Sequence, residues 1–408
     1  MSGYFDSPWP GEDGGPQRLQ LAQGGLTLAP GEVLRATTRS TLMSTMTVLG
    51  SPGEVFLLTH DALRANIGLP TYSKVERIDP VTLQTQAESP RLPGGPMWPG
   101  GMAVHANGDL YVVYGRWAHR LDRNCRVKAS LKLPVNAAYN SFVVLDCGLI
   151  VAKNLSDQVP ARLSVIDPET MIEVGSAVCT EASIARLSSV GDTVYVVGVT
   201  TIMRFDWRSA GLQQDRDWQW NYLSGSANSY GWDVVLAGGQ AWFMDNGHHR
   251  YRTTMVGAGV SRTPNRLLRV ALGDSDDHQA VEISGIPGGS ITNPPLIDTQ
   301  RGLVIGYDSA NRHLAAWRWD GKTLVPAWQK TGFACASHML LYAETGELVT
   351  NDHGSGGEWV VVLDIETGAE KARARVGGLT QGVVFPSPGW GRDLYWCSMS
   401  RLARVFAD

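Results

Sequence analysis

Residues 163–178 read LSVIDPETMIEVGSAV: an alternating apolar strand, an Asp-Pro-Glu-Thr turn at Asp167, and a second strand. The phrase recurs along the chain. It reads VERIDPVTLQTQAES around Asp79, AHRLDRNCRVKASL around Asp122 and IMRFDWRSAGLQQD around Asp206. After a longer interval it returns as LLRVALGDSDDHQAVEI near Asp274, AAWRWDGKTLVPAWQK at Asp320 and VVVLDIETGAEKARAR at Asp364. A period of about 45 residues in an alternating, glycine-rich chain predicts an all-β fold, a β-propeller.

Each blade needs four strands, and the innermost follows the Asp-turn hairpin. Candidates are residues 45–50, 101–106, 140–146, 183–189, 230–237, 293–298, 337–343 and 381–387. Each precedes a short turn and an apolar second strand such as GDLYVVYG or RGLVIGYD, so the reading is eight blades of four antiparallel strands, with seven as the alternative. The last unit supplies only three strands and ends in RLARVFAD, while GEVLRATTR at 32–40 has no partners nearby. Pairing the two closes the ring and removes an exposed sheet edge. Residues 1–20 are then an irregular N-terminal arm and 21–408 a single propeller domain. Insertions at 60–74 and 245–266 lie between second and third strands, where repeat proteins collect binding loops.

Composition excludes several classes. The 408 residues carry a net charge of −4, which gives no electrostatic footprint for nucleic acid. No apolar run is long enough for a membrane span, and MSGYFDSPWPGEDGGPQ lacks the basic and apolar regions of a signal peptide, so a cytoplasmic location is expected. Five scattered cysteines without a Cys-x-x-Cys pair read as buried thiols. No P-loop, nucleophile elbow, His-Glu-x-x-His or dinucleotide fingerprint is present.

The D-P-x-T and D-x-x-T-G turns, with DGKTLVPAW at 320–328, resemble the quinoprotein-alcohol-dehydrogenase-like and YVTN-like propeller superfamily over nearly the whole chain. The resemblance implies a fold, and in the quinone enzymes of that superfamily a pyrroloquinoline quinone with Ca²⁺ over the channel. Their tryptophan-docking repeat is met by Trp328 alone, Trp359 preceding its turn, and no vicinal cysteine pair occurs, so a quinone is not expected here.

Loops from second to third strands and from fourth to first strands open on one face. Second strands end in His60-Asp61, Lys153-Asn154, Asp245-Asn246-Gly247-His248-His249, Tyr307-Asp308 and Asn351-Asp352-His353. Imidazole and carboxylate at one mouth suit a divalent metal (Zn²⁺, Mn²⁺, Fe²⁺ or Ca²⁺), with His248, His338 and Asp245 as ligands. They equally suit acid–base chemistry with His353, His249, Tyr307 and Asp352 as catalytic groups. The plain alternative is that the Asp and Asn residues only form turns. Arg250, Arg252, Arg64, Lys153 and Asn154 would hold an anion, and Trp98 and Trp232 would stack on a ring, against the alternatives of a solvated loop and core packing.

These patterns favour a lyase or hydrolase, metal-assisted or His-based, acting at the channel mouth on a small anionic substrate such as an uronic sugar or lactone. A non-catalytic propeller binding a protein or glycan is the alternative, and a quinone-dependent dehydrogenase the second. No membrane partner is expected, and oligomeric state is not legible.

Overall fold

The computed structural model describes residues 3–96, 100–251, 253–378 and 380–407. They form eight four-stranded antiparallel blades arranged in a ring. The recurrent Asp makes the hairpin of the third and fourth strands. Asp79 Oδ1 accepts from the Val81 and Thr82 amides at 3.0 and 2.7 Å, and Asp167 and Asp364 repeat the pattern. These amide bonds favour the carboxylate and lower the pKa of Asp79. Trp328 docks one blade on the next, its indole N–H donating to Ile365 O at 2.8 Å.

The ring closes as the strand pattern predicted. Leu34–Ser40 lies antiparallel to Arg401–Ala407, from Leu34 opposite Ala407 to Ser40 opposite Arg401. This makes an N-terminal strand the outermost strand of the last blade. The closure uses seven residue pairs and leaves neither chain end as a free inner edge.

The innermost strands depart from expectation in the second half of the chain. In blades four to eight the ladder is confined to Ser188–Val190, Val235–Ala237, Leu296–Asp298, Leu340–Tyr342 and Ser387–Pro388. The residues before each run along the channel wall outside the ladder. Side chains satisfy their amides instead: Asp233 Oδ1 accepts from Arg186 N at 2.7 Å, and Asn351 Oδ1 from Ala336 and Ser337 N at 3.0 and 3.2 Å.

The N-terminal residues thread the lower channel. Their carbonyls accept from one inner strand after another: Trp9 O from Leu49 N, Pro10 O from Val104 N, Pro16 O from Ser189 N, Gln17 O from Leu236 N and Gln20 O from Leu341 N, at 2.7–3.0 Å. Leu21–Ala22 then pairs in parallel with Leu341 and Tyr342, adding an inner strand to blade seven. Inner strands facing a channel carry unpaired amides, and the arm satisfies them. Asp13, Arg18 and Gln20 adopt φ of 52°, 56° and 59°, a left-handed conformation that non-glycine residues hold only when their surroundings impose it.

Candidate active site

The arm forms the floor of a buried polar site. Arg18, 1% exposed, donates through Nη2 to Glu12 Oε2 at 2.5 Å, through Nη1 to Asp13 Oδ2 at 2.9 Å and through Nε to Leu187 O at 2.8 Å. Above this floor stand side chains from the channel wall. Arg186, Asp233, His338 and Phe385 each sit two residues before the paired inner strand of their blade, an equivalent position in blades four, five, seven and eight. Arg186 lies 3.5 Å from both Glu12 Oε2 and Asp233 Oδ2. The Phe385 ring packs against His338 at 4.0 Å between centroids and against the Arg186 guanidinium at 4.6 Å.

His338 is fully buried, and its Nδ1 faces Asp13 Oδ1 at 2.9 Å outside hydrogen-bond geometry, while Nε2 has no partner within reach. Burial lowers its pKa, which keeps the ring neutral. Burial opposes ionisation of Asp13, but His338 and Arg18 hold its pKa below the ordinary value. Burial raises Glu12 to about 7 against the pull of Arg18 and Arg186. Lys153 enters from the second strand of blade three, 1% exposed, with Nζ donating to Ser183 O at 2.9 Å and Asn154 O at 3.3 Å. Burial depresses it to about 8.

The long insertion covers the upper end. Gln381 Oε1 accepts from Met255 N at 2.7 Å and Thr254 Oγ1 at 3.0 Å, while its own backbone N donates to Thr253 O at 3.0 Å. Its Nε2 donates to Ala334 O at 2.9 Å, so one fully buried side chain fastens the insertion across the ring. Gly257 N donates to Ala310 O at 3.0 Å and adds a second point of contact. A covered site of this kind excludes water from polar chemistry beneath it.

Glu358 lies below this latch, with Oε1 accepting from Asn351 Nδ2 and Oε2 from Gly382 N, both at 2.6 Å. Burial raises its pKa to about 8. A carboxyl whose folded-state pKa is raised loses stability as pH climbs, here from the ordinary glutamate range near 4.5 up to about 8. Glu358→Gln is therefore expected to flatten the fall of melting temperature over that window, checked by thermal unfolding of both proteins at a series of pH values.

The predicted residues do not gather at one mouth. Asp245 is spent on structure: it holds Arg266 Nε at 2.7 Å and accepts from Arg266 N and Asn228 Nδ2. His248 is exposed beside Tyr230, while His338 lies in the channel, so the metal set His248–His338–Asp245 is not assembled. Among the described residues no three His, Cys, Asp or Glu side chains are grouped to hold a metal ion. Tyr307 is fully buried with its hydroxyl on Asn293 O at 3.1 Å, and burial raises its pKa well above the usual value, which opposes an acid role. Asp352 accepts from Ala334 N and faces Arg373, and His353 is half-buried at the rim.

His249 packs against Trp232, accepts from Tyr251 N at 3.1 Å, and is lowered to about 4 by burial and by His248. Trp232 is buried with its indole N–H on Gly247 O, a packing role rather than a stacking platform. Arg250 is exposed, and Arg64 folds back onto Pro70 O. Trp98 and Arg252 lie outside the described residues. Lys153 and His338 are the predicted residues that reach the channel site, while Asn154 Oδ1 accepts from Arg162 N within its own blade. Glu12, Asp13, Arg18, Arg186 and Glu358 were missed. For Arg186 the available signal was its repeat-equivalent position; for the arm residues there was none.

No protein-family model matches the chain, and no curated protein matches it in sequence. Solved structures do match in shape. A quinohemoprotein alcohol dehydrogenase from Comamonas testosteroni aligns with TM-score 0.70 and 12% identity, over 98% of this chain and 80% of that one. A europium-containing methanol dehydrogenase aligns with TM-score 0.61 and 12% identity, over 96% and 89%. The computationally designed Ika8 protein aligns with TM-score 0.59 and 11% identity, over 93% and 100%. At such identity the likeness concerns architecture: the chain has the propeller fold of the quinoprotein alcohol dehydrogenases, as its turns suggested.

Proposed function

We propose that the protein is an enzyme that transfers a proton to or from a small anionic molecule inside the capped channel, with His338 as the acid–base group. The observation that carries this reading is the His338–Asp13 pair with Nε2 unpartnered. Asp13 beside Nδ1 favours the tautomer whose lone pair is on Nε2, the form a general base requires. The Arg186 guanidinium supplies positive charge for the anion and for negative charge developing during proton removal. Charges buried this densely are costly to the fold, and such clusters are concentrated at functional sites. A lyase or hydrolase acting on an uronic sugar or lactone remains within this reading, moved from the rim to the axis.

The test uses D-glucuronate and D-gluconolactone as probes. Millimolar probe is expected to raise the melting temperature by about 1–2 °C, as for a ligand several-fold above its Kd. In D₂O the bound uronate should lose the proton next to its carboxylate to solvent, and His338→Gln should abolish that wash-out while keeping the thermal shift. No shift with either probe, or wash-out that survives in His338→Gln, would sink the reading.

A quinone-dependent dehydrogenase is the second reading, favoured by the fold likeness to quinohemoprotein alcohol dehydrogenase, which leaves the expectation of no quinone without support. The residues answer part of what that group needs. Arg18, Arg186 and Lys153 would meet its carboxylates, but among the described residues no three His, Cys, Asp or Glu side chains are grouped for its cation, and all five cysteines are free. Thermal stabilisation by pyrroloquinoline quinone with Ca²⁺, and by neither sugar probe, would move the assignment to this reading.

A further inference from the structure

We propose that Lys153 is a covalent catalytic residue whose amine forms an imine with the carbonyl carbon of a small 2-oxo carboxylate. This rests on the reading of the channel as a small-anion site and names the substrate class. Lys153 is 1% exposed and, among the described residues, has no ion pair with a carboxylate. Its partners are two backbone carbonyls, Ser183 O and Asn154 O, which leave one of the three ammonium hydrogens without a bond. Isolated ammonium groups are expensive to bury, so a protein that needed only packing here would be better served by an apolar chain of similar length.

The Asp233 charge favours the ammonium form of Lys153 and outweighs the Arg186 charge, which disfavours it, so burial alone brings the amine down. Desolvation is the setting in which a lysine becomes a nucleophile near neutral pH. Burial does bring its pKa down to about 8. The adjacent Cys179 thiol is raised to about 12 by burial, so it stays protonated and does not compete.

The chemistry balances without an added oxidant. The neutral amine adds to the carbonyl carbon, forming a C–N bond, and the carbonyl oxygen takes up protons and leaves as water. The protonated imine then withdraws electrons from the neighbouring carbon, whose proton or carboxyl group becomes easier to remove. Arg186 provides a counter-charge for the carboxylate.

The protein is incubated with pyruvate and sodium cyanoborohydride at pH 7.5, and modified lysines are located by peptide mass mapping. Lys153 is expected to be alkylated at least tenfold faster than the exposed Lys128 and Lys322, and Lys153→Met to lose the fast adduct. Labelling that follows solvent exposure and spares Lys153, or a fast adduct that persists in Lys153→Met, overturns the proposal. Lactate, which has no carbonyl, separates the two levels. Stabilisation by lactate without a Lys153 adduct from pyruvate overturns the imine and keeps the anion site, whereas neither stabilisation nor adduct overturns both.

Discussion

Arg18→Ala is expected to lower the unfolding free energy by about 3–5 kcal/mol, the usual cost of removing one partner from a buried charge cluster. Glu12 and Asp13 would be left side by side in the channel, 7% and 1% exposed, without the guanidinium that bonds both. Leu187 O would lose its donor as well. The arm would leave the channel to hydrate its carboxylates, and Asp13 would leave His338. Urea unfolding followed by tryptophan fluorescence measures the loss. Arg373→Ala, which breaks half-exposed pairs to Asp352 and Glu370, serves as the comparison and should cost no more than about 1 kcal/mol. Equal effects from the two variants would mean that the arm is not docked in the channel.

Glu347→Ala is expected to cost about 2–4 kcal/mol. This fully buried carboxylate accepts from Leu28 N at 2.8 Å, Thr27 N at 3.0 Å and Thr345 Oγ1 at 2.8 Å, and pairs with Lys371 Nζ at 3.3 Å. It fastens the chain where the arm leaves the channel and before Leu34–Ser40 closes the ring. Burial works against its ionisation, but the bonds from Leu28, Thr345 and Thr27 hold its pKa below the ordinary value. A lowered pKa gives stability that is present above the ordinary glutamate range and lost on acidification through the folded value. The wild type should therefore lose this contribution in acid, and Glu347→Ala should show a shallower acid limb. Melting temperatures of the two proteins that run parallel between pH 3 and 6 would contradict the account.

The fold was legible because its signals are local. An Asp that accepts from the two amides after it makes the same hairpin wherever it occurs, so Asp79, Asp167 and Asp364 announce their blades without reference to the rest of the chain. Ring closure by Leu34–Ser40 was legible for a related reason: a strand without a partner and a blade short of one strand imply each other.

The site was legible only in part. Their place at the end of a second strand brought Lys153 and Asn154 to notice, and His338 was singled out by residue type. His353, His249 and Asp245 carry the same chemistry on paper. Their roles diverge because His353 ends on the rim, His249 packs against Trp232 and Asp245 meets Arg266. Which titratable group stays unpartnered depends on neighbours from other blades, and no local pattern encodes them.

The sequence by itself determined the seven Asp-turn hairpins, their order and the strand that completes the last blade, since turn chemistry and period-two alternation act over a few residues. Only the tertiary structure decided that the hydrophilic stretch Glu12–Gln20 is the floor of the channel. Glu12, Asp13 and Arg18 read as a solvated arm until Leu187, Asp233 and His338 surround them. Their burial is repaid by partners up to 325 residues away along the chain, a balance that exists once the ring has closed.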